Sequence, residues 1–343
     1  MSLPIEAPPP PRSPWQRFYG AAHRLRQRWW ASRAARLPKP VISIGNLHWG
    51  GGGKTPMVAA VAGHLRDRGH RVAILSRGYG SHGQGVRIVS RGDGPLLGPG
   101  LAGDEPVLLA GLLPEVAVVV CPDRALAGRH ALQRLDPQPE LFLLDDGFSH
   151  LRLARDLDLL VFPAADPFAG GRLPPGGRLR EPLASSRRAH AAILSGATST
   201  DAGEQLAKTL RRHGFAGPGF ASRTVPGEAV TVPEGRPLAA GTRVLAVSGI
   251  ARPQSFLETI RAQGFELADH LGFPDHHPYD SETCRKIAET LTNCGAEVVL
   301  TTGKDRVKLQ GNLDLPLAEL PIHADPQPEL FQWLDREIDR IRG

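Results

Sequence analysis

From residue 41 onward, short apolar runs recur along the chain, each followed by a stretch with helical spacing. They read VISI (41–44), RVAIL (71–75), VAVVV (116–120), LFLL (141–144), DLLVF (158–162) and AAIL (191–194). These runs are rich in β-branched and aliphatic residues and lack strict alternation, as parallel strands buried on both faces do. The helical stretches between them, beginning with TPMVAAVAGHLRDRG, then cover the sheet. The pattern predicts a doubly wound, mostly parallel α/β unit over 41–213.

Between 214 and 242 the pattern breaks. GFAGPGFASRTVPGEAVTVPEGRPLAAGT is rich in Gly and Pro, and its alternating AVTV reads as a short extended ribbon, so this segment is the expected linker. A second α/β pattern starts at RVLAVSGI (243–250), passes through EVVLTT (297–302) and closes on an amphipathic helix near 327–341. It predicts a smaller α/β unit over 243–343. No internal repeat interrupts the reading.

Residues 1–40 follow a different rule. In WQRFYGAAHRLRQRWWASRAARL, Trp15, Phe18, Ala22, Leu25 and Trp29 recur at three- and four-residue steps, with Tyr19 beside them and arginines between. That is a helix with an aromatic stripe and a cationic face, suited to a lipid interface. The same pattern also suits a helix packed on its own domain with its arginines in water. Charge narrows the choice. Residues 1–40 hold eight basic side chains against Glu6 alone, whereas the rest of the chain holds 33 basic and 34 acidic ones. Positive charge confined to one helix argues against nucleic acid as a partner.

Composition adds bounds. At 343 residues the chain is long enough for two domains, and 41% hydrophobic with 22% charged residues is ordinary for a soluble protein. Cys121, Cys284 and Cys294 are odd in number and widely spaced, which fits neither a disulfide framework nor a zinc site and suggests a reducing, cytoplasmic setting. No run approaches the ~20 apolar residues of a membrane span. Arg12, Pro14, Arg17 and Arg24 interrupt any apolar core of a secretory signal.

The chemistry begins at GNLHWGGGGKTP (45–56). A strand, a glycine loop and Lys-Thr at a helix start form the P-loop arrangement. Gly50, Gly51, Gly52 and Gly53 let backbone N–H groups turn onto phosphates, Lys54 reaches the β- and γ-phosphates, and the Thr55 hydroxyl is placed to ligate Mg²⁺. The strict consensus has glycine where His48 stands, so the match is to the shorter form x-G-G-x-G-K-T. LFLLDDGFSH (141–150) ends an apolar strand on Asp145 and Asp146, as a Walker B strand does, and Mg²⁺ takes one or two such carboxylates. AGDEPVLLA (102–110) sets Asp104 and Glu105 at a helix start. They serve there as a cap and a dipole partner, or, in a phosphotransferase, Asp104 serves as the base for a hydroxyl proton.

GFPDHHPYD (272–280) clusters Asp275, His276 and His277, with no third ligand spaced for a metal. It reads as a surface loop, or as a loop that brings one histidine over the phosphates from the second unit. LPPGGRLREP (173–182) presents Arg178 and Arg180, either to an anionic substrate or to water.

Taken in order, these elements resemble the tetraacyldisaccharide 4'-kinases, which phosphorylate the lipid A precursor. ILSRGYG (74–80), CPDR (121–124), VSGIARPQSF (247–256) and TTGKDRVKL (301–309) extend the resemblance over most of the chain. The resemblance implies a peripheral protein on the cytoplasmic face of the bacterial inner membrane, with a larger P-loop domain and a smaller one joined by a β-ribbon. The site lies between the two. It implies ATP and Mg²⁺ as cofactors and tetraacyldisaccharide 1-phosphate, a glycolipid, as substrate. It places the base on Asp104 with Glu105 beside it and the assisting histidine on His276. The P-loop pair falls on Lys54 and Thr55, the metal carboxylates on Asp145 and Asp146, and the headgroup arginines on Arg178 and its neighbours. His48, Ser149 and Gly303 depart from the family pattern, which has Ser or Thr, Gln and Glu there. A partitioning or regulatory ATPase is the alternative, since its loop also reads x-G-G-x-G-K-T, but it needs a lysine where this chain has Trp49.

Overall fold

Six strands form where the apolar runs lie: β1 (Val41–Gly45), β2 (Val72–Ser76), β4 (Ala117–Val120), β5 (Leu141–Asp145), β6 (Leu157–Pro163) and β7 (Ala191–Ser195), with β3 (Arg87–Ser90) between the second and third. This structure, a computed structural model, describes residues 14–50 and 52–343, without the side chains at 15–17, 24, 28 and 31. Gly51 of the phosphate loop and the Trp15, Arg17, Arg24 and Arg28 side chains therefore lie outside it. Helix α1 (Pro14–Ala31) precedes β1. Then come α2 (Lys54–Asp67), α3 (Pro99–Ala102), α4 (Asp104–Leu112), α5 (Arg124–Arg134) and α6 (Ala202–Arg211). Strand β8 (Gly219–Pro226) ends this part of the chain.

The second part runs β9 (Val230–Val232), β10 (Arg243–Ser248), α7 (Pro253–Ala262), β11 (Glu266–Gly272), α8 (Ser281–Cys294) and β12 (Val298–Thr302). It continues with α9 (Gly303–Leu309), β13 (Leu317–Leu320), β14 (Ile322–Pro326) and α10 (Pro328–Arg342).

Nine strands form the larger sheet in the order β14-β8-β7-β6-β1-β5-β2-β4-β3. It is parallel except for β3 and β14, which pair antiparallel at its two edges. Period-two alternation splits each central strand between two cores. In β5, Leu141 and Leu143 face the core shared with α2 and α4, while Phe142 and Leu144 face the one shared with α5. Each such side chain contributes about 1.5–3 kcal/mol when fully buried, which is why both faces of these strands are apolar. β1 lies between β5 and β6, parallel to both, so its carboxyl end opens beside the tip of β5. Open α/β sheets bind ligands at that edge.

Five strands in the order β11-β10-β12-β13-β9 form the smaller sheet. A two-stranded antiparallel ribbon connects the sheets. β8 and β14 pair in the larger sheet, β9 and β13 pair in the smaller, and the Gly227 N–H donates to the Pro321 carbonyl between them at 2.9 Å.

This path differs from the boundaries expected at 214–242 and 243–343. β8 belongs to the larger sheet, and the last segment returns to it: Leu330, Leu334 and Ile338 of α10 lie in the core against α2. Periodicity marks an apolar face on α10 but does not say which sheet the face covers.

Candidate active site

The phosphate loop leaves β1 under tight constraint. A Cβ on Gly45 would lie 2.7 Å from the Phe148 Cβ, and one on Gly53 would lie 2.1 Å from the Ser195 Oγ. Gly53 caps α2 at φ 75°, a left-handed conformation that glycine adopts without strain, and Lys54 opens the helix. The loop is also zipped to the arginine segment. His48 bridges Leu179, the Trp49 N–H donates to the Arg178 carbonyl at 2.9 Å, and the Arg180 N–H donates to the Leu47 carbonyl at 2.7 Å. His48 is buried, and burial first, with the nearby Lys54 and Arg180 charges, lowers its pKa to about 4. At neutral pH it is an uncharged side chain packed under the loop.

Asp145 and Asp146 end β5 in different environments. Asp145 accepts from Ser76 Oγ at 3.0 Å. Burial, then the neighbouring charges of Asp146 and Glu105, push its pKa up to about 6. Asp146 turns the other way at φ 50°. Desolvation raises its pKa, but Lys54 Nζ at 3.9 Å and the Arg180 guanidinium outweigh it and hold the group at about 2. Arg180 is bidentate to Asp146, at 2.8 Å to each oxygen, and also reaches Asn46 Oδ1. Such fork geometry fixes both partners.

The two arginines therefore separate. Arg180 faces the glycine loop and the Asp146 carboxylate, whereas Arg178 is 62% exposed and pairs with Asp166 at 2.7 Å.

Asp104 stands at the first turn of α4, after Gly103 at φ 93°. It is 8% exposed and meets groups from the smaller sheet's side. His276 Nδ1 lies 3.1 Å from its Oδ2, and Lys308 Nζ lies 3.3 Å from the same oxygen. Burial raises the Asp104 pKa, yet the His276 hydrogen bond and the Lys308 charge leave it below the ordinary carboxylate value. The His276 pKa is raised, chiefly by that hydrogen bond. Lys304 Nζ, a donor only, lies 3.1 Å from His276 Nε2, so the neutral ring accepts there and donates to Asp104 through Nδ1. Lys304 also pairs with Glu105 at 3.1 Å and with Asp275 at 2.8 Å. His276 sits at φ 64° with the Tyr79 ring edge-on, 5.2 Å away. His277 takes the opposite course, stacking on Phe273 and bonding Thr283 Oγ1 at 3.0 Å.

Helix α1 closes one side. Its His23 and Gln27 are buried on Glu181, the residue after Arg180. The Glu181 carboxylate accepts from Gln27 Nε2 at 2.7 Å, from Arg188 at 2.6 Å and from Ser149 Oγ at 2.6 Å. Burial raises the Glu181 pKa, but these donors, with His23, bring it down to about 2. Ser149, a departure from the family pattern, thus has a partner in Glu181. Gly303, another, stands where a Cβ would meet Glu319 Oε1 at 2.6 Å. The opposite face of α1 exposes Phe18, Leu25 and Trp29, with Leu25 71% exposed and Arg33 lying over the Trp29 ring at 4.6 Å.

A cavity of about 1900 Å³ gathers these parts between the two sheets. Lys54, Thr55, Asp145, Asp146, Glu105 and His276 line it, as do Gly50, Gly52, Gly53 and Arg180. Asp104 is one layer behind, reached through His276, and Arg178 lies outside. Glu181, Arg124, Ser76, Lys304 and Lys308 also belong to the site, though no motif assigns them a role there. Arg124 lines the cavity from the CPDR turn. The four-residue spacing of Lys304 and Lys308 after a strand was the available signal for the lysines, since it puts both on one helix face.

The sequence profile of the tetraacyldisaccharide-1-P 4'-kinase family matches residues 13–339. A tetraacyldisaccharide 4'-kinase of Geobacter sulfurreducens is 40% identical over 340 residues, which covers 94% of this chain and 91% of that one. One of Anaeromyxobacter sp. is 45% identical over 282 residues, 80% of this chain and 75% of that one. The crystal structure of an "apo" form of LpxK from Aquifex aeolicus in complex with ATP superposes with a TM-score of 0.76 at 33% identity, covering 96% of this chain and 97% of that one. With a phosphate loop, a Walker B tip and a carboxylate–histidine pair converging on one cleft, and a match over nearly its whole length, the chain belongs to the tetraacyldisaccharide-1-P 4'-kinase family.

Proposed function

We propose that this protein transfers the γ-phosphoryl group of ATP to the 4'-hydroxyl of tetraacyldisaccharide 1-phosphate, a step of lipid A biosynthesis. The observation that carries this reading is the cavity itself. Phosphate-binding groups of the larger sheet and His276 of the smaller one line the same space, with Asp104 hydrogen-bonded behind that histidine.

Lys54 and the loop N–H groups hold the β- and γ-phosphates. Arg180 keeps Asp146 ionised beside Lys54. Asp104, held as the carboxylate by His276, takes the proton of the 4'-hydroxyl. The hydroxyl oxygen bonds to the γ-phosphorus, the bond from that phosphorus to its bridging oxygen breaks, and the electron pair leaves with ADP. Positioning and charge neutralisation supply most of the acceleration in such transfers. Thr55, Asp145 and Asp146 are hard oxygen donors that fit Mg²⁺, which would neutralise charge on the β- and γ-phosphates when bound. We place Arg180 with the nucleotide and leave Arg178 to the lipid headgroup. The smaller unit, in this reading, closes on the larger about the two-stranded ribbon.

Acyl chains do not leave the bilayer, so the enzyme must reach its acceptor at the surface. The exposed Phe18, Leu25 and Trp29, with Arg26 and Arg33 among them, suit insertion of α1 at a lipid interface on the cytoplasmic side. Among the described residues, no helix is long and apolar enough to cross a membrane. The switch-ATPase alternative gains no support from the family match or from Trp49.

Labelled ATP and the lipid disaccharide acceptor test the reading. Label enters the lipid with the wild-type protein, and Asp104→Ala lowers the rate by about 10²–10⁴-fold. ATP hydrolysis with no lipid labelling would overturn the proposal in favour of a switch.

A further inference from the structure

Helix α9 turns two lysines toward the first two residues of α4. Lys304 reaches Glu105 near the cavity, whereas Lys308 is 6% exposed and reaches Asp104 behind it. The other neighbours of the Lys308 ammonium are Asp305 Oδ1 at 3.3 Å and the face of the Tyr279 ring at 5.1 Å. Asp305 is wholly buried, and its second oxygen is already taken by the Gly249 N–H and the Thr302 hydroxyl, both at 2.8 Å. Replacing a whole buried ion pair with apolar side chains of similar volume commonly serves stability as well or better. Stability alone therefore does not account for this buried cluster of Lys308, Asp104 and Asp305.

We propose that Lys308 is a positioning residue for phosphoryl transfer, one that anchors Oδ2 of Asp104 so that Oδ1 is the oxygen presented to the acceptor hydroxyl. The inference rests on the reading of Asp104 as the base. His276 Nδ1 and Lys308 Nζ both contact Oδ2, and no hydrogen bond to Oδ1 occurs among the described residues. Both anchors come from the smaller sheet's side, so the base is oriented only when α9 and the 273–279 loop sit against α4. The charged and titratable groups around Asp104 are His276, Tyr279 and Asp275 from that loop, Lys304, Asp305 and Lys308 from α9, and Glu105 beside it. Among the described residues, α2, α3, β3 and β4, which also flank α4, contribute no ion pair to Asp104. Removing the Lys308 cation leaves the carboxylate less stabilised, so its ionisation shifts to higher pH.

Steady-state lipid phosphorylation from about pH 3 to 9 tests this with Lys308→Met, Lys308→Arg and Asp104→Asn in the full chain. Lys308→Met is expected to lower kcat on the order of 10²-fold, with the KM for ATP within about twofold. The acid limb of its kcat/KM profile moves up by about one pH unit, while Lys308→Arg keeps the limb in place. An unmoved limb with unchanged kcat in Lys308→Met, while Asp104→Asn is inactive, overturns the role of Lys308 and leaves the base assignment standing. A fully active Asp104→Asn overturns both. Should Lys308→Met fail to bind ATP or to melt cooperatively, Lys308→Met/Asp305→Asn removes the charge left unpaired and gives the same readout.

Discussion

Gln27 of the N-terminal helix donates to the Glu181 carboxylate at 2.7 Å, and Glu181 directly follows Arg180, whose guanidinium clamps Asp146. The helix that exposes Phe18, Leu25 and Trp29 is thus tied by a buried polar contact to the loop that fixes the Asp146 carboxylate at the end of β5. The contact also joins residues 154 positions apart.

That tie sets a stability prediction. Glu181→Ala leaves Arg188 partly buried without its carboxylate, and breaking a buried pair costs about 3–5 kcal/mol. Urea denaturation at neutral pH should read that loss. The pH dependence has a defined sign. The folded pKa of Glu181 is depressed from 4.5 to about 2, so its contribution is present above the unfolded value and is lost as pH falls from 4.5 toward 2. In Glu181→Gln that segment of the stability curve should flatten.

Gly53→Ala should weaken ATP binding by tenfold or more. A non-glycine residue in the left-handed region costs about 1–2 kcal/mol. The new Cβ also meets Ser195 Oγ at 2.1 Å and its Cβ at 2.9 Å. Titration with a fluorescent ATP analogue checks this, and Ser195→Gly in the same chain should recover part of the affinity.

Truncation distinguishes the observed chain path from a simple division at 242. A fragment ending at residue 242 lacks β14 and α10, and so uncovers the α2 face that Leu330, Leu334 and Ile338 bury. It should be insoluble or fail to melt cooperatively. A chain in which residues 228–320 are replaced by a short turn should fold, because Gly227 and Pro321 are already hydrogen-bonded neighbours. Circular dichroism melts of both decide the matter.

Leu25→Glu and Trp29→Glu should each lower association with anionic liposomes by about tenfold or more, since burying such a side chain contributes about 1.5–3 kcal/mol. Added salt should weaken the wild-type association without abolishing it, because only the arginine contribution is screened. Sedimentation with vesicles at two salt concentrations reads both effects. Retention of wild type in the soluble fraction at low salt would count against α1 as the contact.

Local order was written in the sequence by itself. Apolar runs placed β1, β2, β4, β5, β6 and β7 because a strand covered on both faces has no polar face to spare. Glycines before Lys54 predict a phosphate cradle, and paired aspartates after an apolar strand predict its partner, because that chemistry calls for those residue types in adjacent positions. Tertiary structure decided what depends on distant segments meeting. It sent α10 back to the larger sheet, split Arg178 from Arg180, and chose His276 over His277 to meet Asp104. It also brought Lys308 beneath a carboxylate some two hundred positions away in the chain. Periodicity reports that a face is apolar or a side chain charged, but not what lies opposite. Partner choice is settled by packing and by the need to pair every buried charge.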